Sequence, residues 1–170
     1  MSYLEDGIVE ITDIQIPSEE RFQKGPVAVI ECVQEIPCNP CVESCPCGAI
    51  VIQGSINAIP KINFDRCNGC GMCIAHCPGL AIFLVNKNYD TKRALVGLPF
   101  EFLPLPEEGE IVDLMDRAGE VCAEGEVVRV RNTKAQDRTP VVFLAMDKDL
   151  AMEVRFFRRK VDEGKRGRGR

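Results

Sequence analysis

The amino-acid sequence predicts an α+β fold: a duplicated β–α–β unit followed by a small antiparallel β-barrel or sandwich. Two observations carry this expectation. The stretches "CPCGAIVI" and "CPGLAIFL" share Cys-Pro, a short connector, Ala-Ile and an apolar run. A repeat unit of about 30 residues is too small to bury a core alone, whereas two copies can share one. From about residue 90 the cysteines thin out, and short Val-rich runs ("RALVGLPF", "EIVDLMD", "EVVRVRN", "PVVFLAM") alternate with connectors bearing Gly or Pro. That rhythm is typical of small antiparallel β structures.

Element by element, "GIVEITDIQI" alternates and predicts a strand in an N-terminal extension, residues 1–26. Residues 27–88 form the repeated unit. Here "VAVIEC" reads as a strand, "NPCVESC" as a helical turn, "AIVIQ" as a strand and "GSINAI" as a turn. "PKINFD" then reads as a strand, "GMCIAHC" as a second short helix and "AIFLVN" as a last strand. Residues 89–160 hold the Val-rich strands, with "RAGEVCAEG" among the expected connectors. "DKDLAMEV" reads as a helical turn leading to a final strand, "EVRFFRR". Residues 161–170 read as a disordered basic tail.

Composition narrows the function classes. The 170 residues are 45% hydrophobic and 28% charged, an ordinary globular balance. There is no Trp and there are two Tyr, which argues against an aromatic groove for sugars or single-stranded nucleic acid. Eight Lys or Arg and two acids lie between Arg155 and Arg170, leaving 13 basic and 24 acidic residues elsewhere, a net charge of −11. An acidic body is not the footprint of a nucleic-acid-binding domain. No basic and apolar leader opens the chain, and no apolar run approaches the ~20 residues of a membrane span, so a cytoplasmic location is expected.

Ten cysteines are the anomaly, and nine lie between Cys32 and Cys77. A reducing cytoplasm disfavours disulfides, so clustering points to metal. "CNGCGMCIAHCP" supplies Cys67, Cys70, Cys73, Cys77 and Pro78 in the spacing C-x2-C-x2-C-x3-C-P, the run that wraps an iron–sulfur cube. Four-cysteine zinc sites use two separated C-x2-C knuckles, and a thioredoxin-like site needs one C-x-x-C. Neither calls for this run. Gly69, Gly71 and Gly79 are expected to let backbone approach a bulky group.

On these motifs residues 27–87 resemble a dicluster ferredoxin of the 2[4Fe-4S] type. The resemblance implies crossed ligation. One cluster would take Cys67, Cys70 and Cys73 with Cys45, which precedes Pro46. The other would take Cys77 with cysteines of the upstream run. That run departs from the pattern: Cys41 and Cys38 fall where expected, but Glu35 stands where a first cysteine belongs. Cys32 lies three residues further upstream and supplies the fourth ligand if three residues are inserted after it, which is the assignment adopted. The alternatives are Cys47 as fourth ligand, or a [3Fe-4S] cluster held by Cys38, Cys41 and Cys77. Otherwise Cys47 is a small residue beside a cluster, Cys122 a core or surface thiol, and His76 a packing or hydrogen-bonding neighbour.

No nucleophile–base pair, phosphate loop or dinucleotide fingerprint is visible, so no catalytic residue is assigned and the chain is expected to be a non-catalytic subunit of an oxidoreductase complex. "ECVQEIPCNPCVESCPCGAI", with the Val-rich C-terminal region, resembles the iron–sulfur subunit of flavin-dependent amino-acid or amine dehydrogenases, the proline and hydroxyproline type of anaerobes. The resemblance implies a hetero-oligomer with an FAD-containing subunit, often with a small 2Fe-2S partner, and electron transfer between that flavin and an acceptor. A free-standing ferredoxin-type shuttle and an oxygen-labile cluster sensor or maturation protein are the alternatives. Pro37, Pro40 and Pro46 have no N–H to offer sulfur, so the cluster of Cys38, Cys41 and Cys77 is expected to have the lower potential.

Overall fold

The computed structural model describes residues 3–160, so the basic tail expected at 161–170 lies outside the described residues. The chain begins with α1 (Tyr3–Asp6) and a 3-10 turn at Ile11–Asp13, where a strand was expected. Two aspartates account for the difference. Ile8 N–H donates to Asp6 Oδ1 at 2.9 Å and Glu10 N–H to Asp13 Oδ2 at 2.9 Å. Such short acidic side chains offer the backbone local partners that compete with a strand ladder. Helix α2 (Glu19–Gln23) is capped by Ser18, whose Oγ accepts from Arg21 N–H. It seats Phe22 in the core beside strand β1 (Val27–Ile30).

The repeat is visible in the elements that follow. They are α3 (Pro40–Glu43), β2 (Ile50–Val51), β3 (Lys61–Ile62), α4 (Met72–His76) and β4 (Ile82–Asn86). Pro40 opens α3 at a position where its missing N–H has no helical partner to lose. The two β–α–β halves interlock: β1 pairs antiparallel with β4, β2 pairs with β3, and α3 lies against α4.

The remaining strands are β5 (Arg93–Pro99), β6 (Ile111–Met115), β7 (Val121–Arg131), β8 (Val141–Asp147) and β9 (Phe156–Arg159). They do not form a sheet of their own. Leu84 pairs with Gly97 and Val85 with Val96, so one antiparallel sheet runs β1-β4-β5-β8-β7-β6-β9 across both regions. A barrel is not shown: among the described residues no ladder joins β1 to β9. The expected connector "RAGEVCAEG" lies partly inside β7, because its Gly125 is a packing residue rather than a turn residue. A Cβ there would meet Leu114 Cδ2 at 2.7 Å and the Ala145 carbonyl oxygen at 2.9 Å.

Strand alternation divides the core in two. Val27, Val29, Phe83, Val85, Val96, Leu98, Val142 and Leu144 point to one side and share a core with Val112, Leu114, Val127 and Phe157 from the far strands. The sheet must curl to bring these together, and irregularities at Leu114/Met115 and Val127/Arg129 add twist. Ala28, Ile30, Ile82, Leu84, Val141 and Phe143 point to the other side, beneath the cysteines. Strand β8 of the C-terminal region thus helps to floor the cysteine loops. Glu31, next after β1, is clasped by Arg117 at 2.7 Å and Arg155 at 2.6 Å, tying β1 to the segments beside β6 and β9.

Candidate metal centres

The cysteines gather around two cavities. Cys32, Cys38, Cys41 and Cys77 line the first, walled by Ile30, Ile36, Ala58, Pro60, Pro78 and Ile82. Cys45, Cys67, Cys70 and Cys73 line the second, with Cys47, Ala28, Ala49, Ile50 and Ile62. Each short helix serves both. Cys41 on α3 and Cys73 on α4 are buried on opposite cavities, and one turn later Cys45 and Cys77 have changed sides. Cys32 lies two residues beyond β1 and faces Cys77 and Cys38, whereas the exposed Glu35 lines neither cavity. Cys47 lies at the second cavity, away from the site for which it was the alternative ligand.

The loop before α4 depends on glycine. Gly69 has φ +70°, and a Cβ there would sit 2.5 Å from the Pro26 carbonyl oxygen. Gly71 caps α4 with φ +76°. Gly79 differs from both: it has no positive φ and nothing within 4 Å of a built Cβ, and the left-handed position falls on Leu80 instead.

Amides reach the sulfurs from outside the glycine turns. Ala28 N–H donates to Cys67 Sγ at 3.5 Å, Ala49 N–H to Cys45 Sγ at 3.3 Å and Ala81 N–H to Cys77 Sγ at 3.5 Å. Burial, together with the neighbouring Cys67, Cys70 and Cys45 sulfurs, pushes the Cys73 thiol up to about 12. Burial and the Cys77, Cys38 and Cys32 sulfurs push Cys41 up to about 11. Thiolates this close repel one another in an apolar wall, so only a cation among them makes the ionised set favourable.

This donor set fits iron–sulfur clusters. The first cavity carries four soft sulfur donors and the second five, in mostly apolar walls with no carboxylate. Among the described residues no three His, Cys, Asp or Glu side chains form a group that could hold a single metal ion. Sulfurs spread around a wall suit a polynuclear group better than a tetrahedral zinc with bonds of ~2.3 Å.

Two other thiol and imidazole groups stand aside. Cys122 is exposed on β7, and the His76 ring Nδ1 lies 2.8 Å from the Met72 carbonyl oxygen, as the hydrogen bond of a neighbour rather than a ligand. Two arginines were not legible as site residues. Arg21 donates from Nη2 to the Cys67 carbonyl at 2.7 Å, and Arg131 from Nη1 to the Cys70 carbonyl at 2.8 Å.

Residues 31–81 match the family model of the 4Fe-4S dicluster domain. The chain is similar to the ferredoxin-type protein NapF of Haemophilus influenzae, 40% identical over 52 residues, 29% of this chain and 30% of that protein. It is also similar to an uncharacterized ferredoxin of Methanocaldococcus jannaschii, 39% identical over 75 residues, 43% of this chain and 46% of the relative. A third relative is the ABC transporter E family member 1 of Arabidopsis thaliana, 30% identical over 119 residues, 64% of this chain and 18% of that protein. The chain therefore spans less than half the length of each of these relatives. No solved structure matches it significantly. The matched segment, residues 31–81, is the one that supplies every cysteine of the two cavities. Among the described residues no helix is long and apolar enough to cross a membrane.

Proposed function

We propose that Cys32, Cys38, Cys41 and Cys77 hold one [4Fe-4S] cluster, that Cys45, Cys67, Cys70 and Cys73 hold a second, and that the chain passes single electrons as a subunit of a larger oxidoreductase. The observation that carries this is the sorting of nine cysteines into two cavities, the four of the first set at one and the four of the second set, with Cys47 beside them, at the other. A [4Fe-4S] cluster, when bound, supplies a one-electron redox centre. The chain's own contribution is position and environment. Each helix with the residues that leave it gives a cysteine to both sites, Cys41 and Cys45 at α3 and Cys73 and Cys77 at α4, which ties the two sites together. The mostly aliphatic walls lower the polarity around the sulfurs, and the Ala28, Ala49 and Ala81 amides donate to sulfur and favour the reduced form.

The partner we propose is an FAD-containing amino-acid or amine dehydrogenase subunit, with a small 2Fe-2S subunit as a further component and a cytoplasmic location. The "IPCNPC" stretch supports it, as does an apolar margin at the first cavity. Ile36, which walls that cavity, is 45% exposed, and Ile56, whose carbonyl accepts from Cys38 N–H, is 55% exposed. The names of the relatives favour a second function, a free-standing ferredoxin shuttle. Affinity purification of the tagged chain at native expression separates the two. Stoichiometric recovery of a flavoprotein is expected of the subunit, and a stable monomer carrying all its iron would favour the shuttle.

A further inference from the structure

The second cavity has beside it arginines that pair with no carboxylate among the described residues. Arg21 is 6% exposed, and its four hydrogen bonds all go to carbonyls: Phe64 at 2.7 Å, Gly25 at 3.1 Å, Pro26 at 3.0 Å and Cys67 at 2.7 Å. None goes to a carboxylate. Asp65 and Lys24 line the same groove, yet Lys24 is spent on Glu20 and Asp65 forms no ion pair with Arg21 among the described residues. Arg131 repeats the arrangement from β7. Its Nη1 donates to the Cys70 carbonyl, its guanidinium packs over the Phe143 ring, and its strand neighbour Arg129 packs over the same ring.

Burying a guanidinium with no counter-anion is strongly unfavourable. The other nearly buried arginines are matched. Arg117 and Arg155 share Glu31, and Arg117 also reaches Glu153, two cations against two anions. That balanced group lies on the other face of the sheet, where Arg155 packs over the Phe83 ring, and the residues that line the first cavity include no charged side chain. The second cavity therefore faces net positive charge, and the first does not. A reduced cluster carries one more negative charge than an oxidised one, so fixed cations near it favour reduction.

We propose that Arg21 and Arg131 are counter-charges for the cluster of Cys45, Cys67, Cys70 and Cys73, raising its potential above that of the other cluster so that an electron on this chain rests there. This assignment rests on the two-cluster function proposed above. The exchange is of a single electron between the two sites, oxidising one and reducing the other, with no proton or further reactant. Both arginines are positioning and tuning residues, since they touch the carbonyls of ligand residues and not the iron.

The test is a redox titration followed by EPR on the full chain, loaded anaerobically, with the signals assigned by a Cys70→Ser variant. Arg131→Met should lower the potential of the second-cavity signal by about tenfold in its reduction equilibrium, about 59 mV for one electron, and leave the first-cavity signal in place. Arg131→Lys, which keeps the charge, should restore most of the shift, and Arg21→Lys should do the same relative to Arg21→Met. Arg131→Met with full iron content decides the matter even if the Arg21 variants do not fold. Unchanged potentials in that variant, or equal shifts of both signals, would overturn the tuning role while leaving the two-cluster function intact. A wild-type chain that shows only one cluster would overturn both.

Discussion

The two cysteine cavities descend from equivalent halves of one repeat and are built differently. The second uses the tight run Cys67-Cys70-Cys73, a glycine turn pressed against Pro26, deep burial of Cys73 and two arginines without acids. The first uses a stretched loop from Cys32 to Cys38, prolines at 37 and 40, an apolar margin open to solvent, and no charged side chain in its lining. A duplicated scaffold conserves where sulfur is presented. Charge and exposure around the sulfur are left to the flanking chain, and these set a redox centre's potential.

The comparison breaks most visibly at the ligands. Cys73→Ser is expected to remove the second cluster and about half the iron, together with much of the order around α4, since metal binding and folding are coupled in small metal domains; iron analysis with far-ultraviolet circular dichroism checks both. Cys32→Ser should remove or convert only the first cluster, whereas Cys47→Ser and Cys122→Ser should leave iron content and EPR spectra unchanged. Unaltered spectra in Cys32→Ser would show that the stretched loop does not ligate through Cys32.

A smaller effect sharpens the contrast between glycines. Gly69→Ala must place a Cβ at positive φ and 2.5 Å from the Pro26 carbonyl oxygen, and is expected to cost roughly 3 kcal/mol from the left-handed backbone and the overlap together. Gly79→Ala meets open space and should stay within about 0.5 kcal/mol of the parent chain. Thermal unfolding of the loaded variants under anaerobic conditions distinguishes them.

The smallest expected effect is on pH. Cys73 and Cys41, pushed to about 12 and about 11 in the metal-free fold, are protonated at neutral pH and must lose their protons to ligate. Loading therefore releases protons, becomes more favourable as pH rises through the ordinary thiol range towards these values, and weakens as pH falls. Cluster loss to a chelator should accelerate from pH 8 to pH 6. A flat profile would contradict ligation by these buried thiols.

The site was legible in the sequence to the extent that its chemistry is local. Four thiols within one loop need a fixed spacing, so Cys67 to Cys77 declare themselves, and the Cys-Pro-x-x-Ala-Ile repeat exposes the second half. The cations were hidden because Arg21 meets Phe64 and Cys67 across 43 and 46 residues. The joining of the two regions was hidden for the same reason: β4 and β5 are adjacent in the chain, but the pairing of β5 with β8 is set by packing against Phe143, not by any local signal. Two local signals misled. Asp6 and Asp13 draw an alternating stretch into turns, and Gly125 looks like a loop residue although it permits close packing inside β7.

Iron and acid-labile sulfide analysis with Mössbauer spectroscopy on the anaerobically purified chain tests the two-cavity account most directly. Two complete cubes predict about eight iron atoms per chain with matching sulfide, all in one spectral class of four-iron clusters. About seven irons with a three-iron signature would remove Cys32 from the ligand set, and one or two zinc atoms in place of iron would contradict the account as a whole.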